Sequence, residues 1–286
     1  MRKTVITTLL VLGLFGQALA AEPVKIGLAA MISPKETVKF YGQMLEYVGK
    51  KLGRPVEMIQ RENYDEMDAM LEKGEVSIAF LCSGPYVKDK DKFSAELLVA
   101  PQSYGAPVYY AYILVPKDSP YKTWDDLRGK KFAFTDPKSN TGCIVPTYMI
   151  GKAFNQTPAQ FFGEQNITYT KSHDKSIEAV GKKLVDGSSV DSLIYDYAAK
   201  KYPERTAGTR ILVKSPPYGI PPVVVNPKFV DKATADKVKE IFLKMHEDPE
   251  GKAILSGIMV DKFIVPKDSD YNSVREMADW LSKMAK

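Results

Sequence analysis

Ser139, Asn140 and Thr141 stand in a row between Asp136-Pro137 and Gly142. Two hydroxyls and an amide at successive positions can offer several hydrogen bonds to one small partner. Asp136-Pro137 opens a turn, the three polar residues are helix N-cap types, and Gly142 lets the backbone come close to a ligand. A strand-like run, Lys131-Phe132-Ala133-Phe134-Thr135, leads in, and the apolar segment Ile144 to Ile150 leads out. The pattern predicts a strand, a hydroxyl-rich turn and a helix start. Unpaired N–H groups and the positive end of a helix dipole converge at such a start, which suits a tetrahedral oxyanion. The same residues also make an ordinary helix cap, and the turn by itself leaves both readings open.

A second candidate stretch is Cys82-Ser83-Gly84-Pro85-Tyr86, which follows the apolar run Val76 to Leu81. If that run is a strand of a parallel sheet, Cys82, Ser83 and Tyr86 lie beyond its carboxyl end, where such sheets bind ligands. Cys82 and Cys143 admit three readings: inert small hydrophobes, a disulfide in an oxidising compartment, or a thiolate that coordinates a soft ligand. Two His and two Cys spread along the chain make no zinc pattern. There is no Gly-x-Ser-x-Gly, no Walker motif and no metal-ligand set, so neither catalysis nor a cofactor is expected.

The elements that must position these residues follow from periodicity. Val24 to Ala30 reads as a strand. Ser33-Pro34 caps a helix whose apolar positions Val38, Tyr41, Leu45, Val48 and Leu52 recur at helical spacing before Gly53 stops it. Arg54 to Gln60 is a strand, Tyr64 to Lys73 a short helix and Val76 to Leu81 a strand. This β-α-β-α-β order implies a parallel sheet. Later expectations are one long strand over Val108–Val115, a helix from Ser172 through Val185, a strand over Val190–Tyr195, and closing helices packed on the first lobe. The fold class is therefore α/β, with a second β/α unit inserted into the first. The expected division is a leader over 1–20, a first lobe over 21–113 and 212–286, and a second lobe over 114–211. Two lobes joined by two crossings form a clamshell that can close on a ligand.

Arg2 and Lys3, the apolar run Val5 to Phe15 and Ala18-Leu19-Ala20 have the form of a cleavable signal peptide, with no Cys at the cleavage site to take a lipid. A soluble periplasmic protein is expected, acting as a monomer. The net charge of +5 is mild and falls further without Arg2 and Lys3. Basic and acidic residues are interspersed, so nucleic acid is an unpromising partner.

Several short motifs recur in order: Leu52-Gly53-x-Pro55-Val56, Asp136-Pro137-x-Ser139-x-Thr141-Gly142-x-x-Val145-Pro146, Ser172-His173-Asp174, Val190-Asp191, Ser215-Pro216-Pro217 and Pro249-x-Gly251-x-x-Ile254-Leu255. On these the chain resembles the periplasmic phosphonate and phosphite binding proteins of ABC importers, over nearly all of its length after the leader. The resemblance implies a two-lobe periplasmic-binding-protein clamshell of type II and a membrane permease as partner. It implies that Ser139, Asn140 and Thr141 hold the ligand's tetrahedral headgroup, joined by Tyr64 and His173. Relatives that take aminoalkyl phosphonates neutralise the amine with two carboxylates; the matching positions here are Ala198 and the Pro221-Pro222 loop, with Asp196 a neighbouring substitute. The expected ligand is therefore a small oxyanion without a cationic tail, such as phosphite, methylphosphonate or phosphate. Leu81-Cys82 also departs from the phosphonate binders. Some relatives are arsenite-binding sensors with a cleft Cys, so the alternative is an oxyanion sensor that uses Cys82 and signals to a histidine kinase.

Overall fold

The computed structural model describes residues 22–284; the expected leader lies outside them. The chain opens with β1 (Val24–Leu28), α1 (Pro34–Leu52), β2 (Val56–Gln60), α2 (Tyr64–Lys73), β3 (Ile78–Phe80), α3 (Ser83–Phe93) and β4 (Glu96–Gln102). It crosses through β5 (Val108–Tyr109) into β6 (Ala111–Pro116), β7 (Phe132–Phe134), α4 (Val145–Phe154), α5 (Pro158–Phe162), β8 (Ile167–Tyr169), α6 (His173–Gly181), β9 (Gly187–Asp191), α7 (Ser192–Lys201), α8 (Pro203–Thr206) and β10 (Thr209–Lys214). It returns through β11 (Tyr218–Gly219) to β12 (Val223–Val225), α9 (Lys232–Lys244), α10 (Pro249–Gly257), β13 (Lys262–Ile264) and α11 (Asn272–Met284).

Two sheets result. A six-stranded sheet runs β13-β4-β12-β3-β1-β2 and a five-stranded sheet runs β10-β6-β9-β7-β8. In each, the strands that feed the site are parallel: β1 with β2 and β3, and β7 with β8 and β9. Parallel strands joined by helices place every strand-to-helix turn on one edge, and the two such edges face each other. The crossings run side by side, because β5 and β11 pair antiparallel as a two-stranded ribbon.

Each sheet has its own apolar packing. Phe80, Phe242 and Phe263 pack in sequence on the first, edge-on and then tilted, with ring centroids 5.9 and 4.7 Å apart. Phe132 and Phe162 stack at 4.4 Å on one face of the second, while Tyr112, Ile177, Val180 and Tyr195 fill the other. Gly53 ends α1 at φ 71°, a left-handed conformation that glycine adopts without steric cost.

Several expectations need correction. The long strand over Val108–Val115 is two strands broken at Tyr110. The junctions expected at 113/114 and 211/212 therefore cut β6 and β10, both of which lie whole in the five-stranded sheet. The strand over Val190–Tyr195 ends at Asp191, whose carboxylate accepts the Leu193 amide at 2.7 Å and caps α7. The helix from Ser172 stops at Gly181, and Lys183 sits at φ 57° just beyond it. α11 does not pack on the first lobe alone: Trp280 meets Tyr148 of α4 edge-on at 5.2 Å.

Candidate functional site

Asp136 shapes the hydroxyl turn. One of its oxygens accepts the Lys138 amide at 2.8 Å, and its carbonyl accepts the Ser139 amide at 2.9 Å. Its other oxygen reaches across the cleft to the Tyr64 amide, at 3.3 Å. The chain then makes a π-helical turn, Asn140–Ile144, before α4. Ser139 caps it by accepting the Gly142 amide at 3.1 Å, and Ser189 anchors it by donating to the Thr141 carbonyl at 2.6 Å. A Cβ on Gly142 would stand 1.7 Å from Thr135 Oγ1, so no side chain fits there.

His173 is the first residue of α6 and is fully buried. Its backbone amide donates to the Met31 carbonyl of the opposite sheet at 3.0 Å. Its ring Nδ1 accepts the Asp191 amide at 3.0 Å, which leaves the proton on Nε2, 3.4 Å from Ser139 Oγ. Burial pushes its pKa down to about 4, so the ring is neutral at pH 7. Ser139 Oγ thus accepts from the Gly142 amide and faces a second N–H, so its own hydroxyl proton is available to donate.

Tyr64, first residue of α2, is buried beside Ser139, Cys82 and Asp136. Its hydroxyl makes no well-aligned hydrogen bond, and neither do Thr141 Oγ1, Thr135 Oγ1, Ser172 Oγ or Asn140 Oδ1. Asn140 Nδ2 approaches Tyr109 Oη at 3.1 Å, and the Asn140 backbone N–H donates to Cys82 Sγ at 3.3 Å. An Asn amide has two orientations of nearly equal shape. Rotated by 180°, Tyr109 donates to Oδ1 and the NH₂ faces the cleft.

The structure brings Tyr64, Ser139, Asn140, Thr141, His173 and Cys82 to one place, and none of them carries a positive charge at pH 7. The first residues of α2 and α6, the N-cap Cys82 of α3 and the π turn before α4 meet there, so helix N-termini supply the positive potential. Ser83 and Tyr86 are not brought in. Ser83 Oγ donates to the Gly219 carbonyl at 2.6 Å and holds the return crossing. Tyr86 Oη donates to Asp268 at 2.6 Å, a carboxylate also bound by Arg275. Both are engaged elsewhere, because α3 starts at Ser83 and turns them away from the cleft.

Both cysteines are free. Burial raises the Cys82 thiol and pushes Cys143 up to about 11. Desolvation therefore outweighs the helix N-terminus expected to lower them, and neither is a thiolate at neutral pH. Asp196, the neighbouring carboxylate, accepts from Tyr112 Oη at 3.2 Å. Sequence reasoning assigned no site role to Thr135, Ser172, Asp191 or Tyr109. Thr135 flanks one motif already singled out and Ser172 opens another; Asp191 was hidden by reading its segment as strand.

The profile of a family described as the periplasmic substrate-binding protein of the phosphonate ABC transporter matches residues 26–271. The chain belongs to that family. It is 26% identical over 239 residues to the phosphonates-binding periplasmic protein of Escherichia coli, covering 82% of this chain and 69% of that one. It is 24% identical over 255 residues to the phosphate-import protein PhnD of Mycolicibacterium smegmatis, covering 84% and 79%. Among solved structures it resembles a binding-protein component of a phosphonate ABC transporter from Pseudomonas aeruginosa, with TM-score 0.85 and 21% identity over 92% of this chain and 88% of that one. It also resembles PhnD1 from Prochlorococcus marinus in complex with methylphosphonate, with TM-score 0.82 and 17% identity over 91% and 98%. The two-lobe α/β clamshell is thus the family's fold. The family is one of periplasmic ligand carriers that serve a transporter, not of enzymes. Nothing among these relatives supports an arsenite sensor.

Proposed function

We propose that this chain captures a small phosphorus oxyanion (phosphite, methylphosphonate or phosphate) between its lobes and delivers it to an ABC permease. The observation that carries this is the pair of buried hydroxyls, Tyr64 Oη and Thr141 Oγ1, left unpaired within the protein beside Ser139 and His173. Burying a hydroxyl donor without a partner costs about 1–3 kcal/mol, and two at one spot are better explained by a ligand than by packing. Ser139, Tyr64, Thr141 and the Asn140 amide in its rotated orientation are all donors, and His173 Nε2–H facing Ser139 Oγ leaves the Ser139 proton free, which fits an acceptor-rich anion. Charge-assisted bonds from neutral donors to an ionised oxygen are the strong kind. The family assignment and the two curated relatives, one named for phosphonates and one for phosphate, support the same class.

The lobes follow the sheets, with β5 and β11 as the hinge ribbon, and the exported chain acts as a soluble monomer after its leader is removed. Ion pairs tie the two lobes together. Lys138 beside the hydroxyl turn bridges Asp65 and Asp68 of α2 at 2.5 and 2.7 Å, and Arg205 bridges Glu36 of α1 at 3.0 Å.

The test uses Tyr64→Phe and Thr141→Val. Each deletes an unpaired hydroxyl, so thermal stability without ligand stays level or rises. Affinity for the preferred oxyanion falls about 10-fold or more, the worth of a hydrogen bond to a charged group. Unchanged affinity in both variants contradicts the site.

A further inference from the structure

Tyr109 belongs to neither large sheet. It ends β5, in the two-stranded ribbon at the crossings, and its side chain is fully buried. Its hydroxyl meets one group from beside each sheet: Asn140 Nδ2, beyond β7, at 3.1 Å and Cys82 Sγ, beyond β3, at 3.6 Å. Cys82 Sγ also accepts the Asn140 backbone N–H at 3.3 Å. The three contacts close a buried ring of hydrogen bonds beside the cradle. We propose that Tyr109 is a positioning residue that turns the Asn140 NH₂ toward the bound anion, so that the site binds the doubly ionised oxyanion in preference to the form that keeps a P–OH. The proposal rests on the headgroup reading above and adds the protonation state that is bound.

The protons of the ring have one satisfying arrangement. Sulfur is a weak acceptor, and Cys82 Sγ is already taken by a backbone N–H. Burial keeps its thiol protonated, and Tyr109 Oη is within reach of that proton. A Tyr109 hydroxyl that accepts from Cys82 has its own proton to place. Ser83 Oγ, the next hydroxyl along, is turned to the Gly219 carbonyl, which leaves Asn140. With Nδ2 toward Tyr109, the phenol proton and the buried Asn140 Oδ1 both lack a partner, at roughly 1–3 kcal/mol each. Rotated, Tyr109 donates to Oδ1 and both are satisfied. The rotation also removes from the cleft the one side-chain group that could receive a P–OH proton without cost. Tyr64 and Thr141 can turn to accept it, but their own protons then have no partner in the protein. Around the ring stand Tyr64, Asp136, His173 and Asp191, while Lys138 is turned to Asp65 and Asp68. Asp191, raised to about 7 by burial, titrates close to where such ligands lose their second proton. The test therefore has to tell a protein group from the ligand.

The experiment is calorimetric titration of the purified chain with phosphite and with methylphosphonate across roughly pH 5–9, with the second ionisation of each free ligand read by phosphorus NMR in the same buffers. In the parent, affinity is level above that ionisation and falls about 10-fold for each pH unit below it, and the inflection moves with the ligand. An inflection at one pH for both ligands assigns it to the protein and overturns the proposal. Tyr109→Phe keeps the ring but frees the amide to turn. Its affinity at high pH falls about 10-fold or more, while at low pH it stays within about threefold of the parent, so the profile flattens. A Tyr109→Phe profile lower by one factor at every pH makes Tyr109 a packing residue and overturns the proposal. Asn140→Asp gives a second reading should Tyr109→Phe fail to fold. One carboxyl oxygen takes the Tyr109 proton and the other faces the ligand, so the complex needs one extra proton and affinity falls as pH rises; a level or rising profile overturns the proposal. If neither ligand binds the parent at any pH, the headgroup reading falls and takes this proposal with it.

Discussion

At the scale of single residues, the site is built from neutral donors whose protonation and direction are set by their neighbours. His173 shows this most clearly. The Asp191 amide occupies Nδ1, burial keeps the ring neutral, and the one remaining N–H points to Ser139. Replacing His173 by Gln keeps a donor of similar reach but loses the Asp191 anchor, so ligand affinity should fall by about 10-fold with partial retention. His173→Phe should abolish binding; equal affinity in His173→Phe and the parent would remove His173 from the site. Gly142→Ala places a methyl 1.7 Å from Thr135 Oγ1. It should lower the melting temperature and abolish binding together, unlike Thr141→Val, which should affect binding alone. The residue types of the hydroxyl turn were legible in the sequence because turn and cap chemistry is local. The unpaired state of Tyr64 and Thr141 was not, because it depends on what the opposite lobe fails to supply.

Among elements, the first turns of the helices do the positioning and the interlobe latch does the closing. Lys138 sits next to the cradle in sequence and bonds two carboxylates of α2, so anion capture and lobe docking use one short segment. Asp68 is buried, and burial raises its pKa against the Lys138 partner that lowers it. Removing Lys138 alone leaves that acid unpaired. The informative variant is therefore Lys138→Met with Asp68→Asn. It should fold normally and release ligand about 10-fold faster, read by stopped-flow fluorescence; an unchanged release rate would show that the latch is not used. Helices α1 and α2 were legible from their apolar spacing and their terminal glycines. α3 was not, because Asp89 is buried on a face that pattern reading expects to be apolar. Val190–Tyr195 was misread because an apolar run carries no sign of its own at the point where Asp191 turns cap.

For the whole molecule, buried titratable groups of opposite tendency set the response to acid. His173 titrates near 4 when folded against about 6.5 when unfolded. The unfolded chain takes up that proton first, so stability falls as pH drops from 6.5 to 4, by on the order of 3 kcal/mol. Asp191 runs the other way: raised to about 7 by burial, it keeps a proton that the unfolded chain releases near 3.9, and its contribution is lost as pH rises from there to 7. The two trends offset each other. Asp191→Asn should expose the first, giving a variant whose melting temperature drops more steeply than the parent's between pH 6.5 and 4. A parallel profile would contradict the opposition. The clamshell as a whole was legible because strand and helix periods alternate along the chain. The break between β5 and β6 at Tyr110 was not, because the two are continuous in pattern.

The central claim is that neutral donors from both lobes hold a phosphorus oxyanion without a cationic side chain. Calorimetric titration of the purified chain with phosphite, methylphosphonate and phosphate tests it most directly. The account predicts saturable one-site binding of at least one of them, weakened about 10-fold or more by Thr141→Val at unchanged unliganded stability. Absence of binding to all three, or binding indifferent to Thr141→Val and Tyr64→Phe alike, would contradict it.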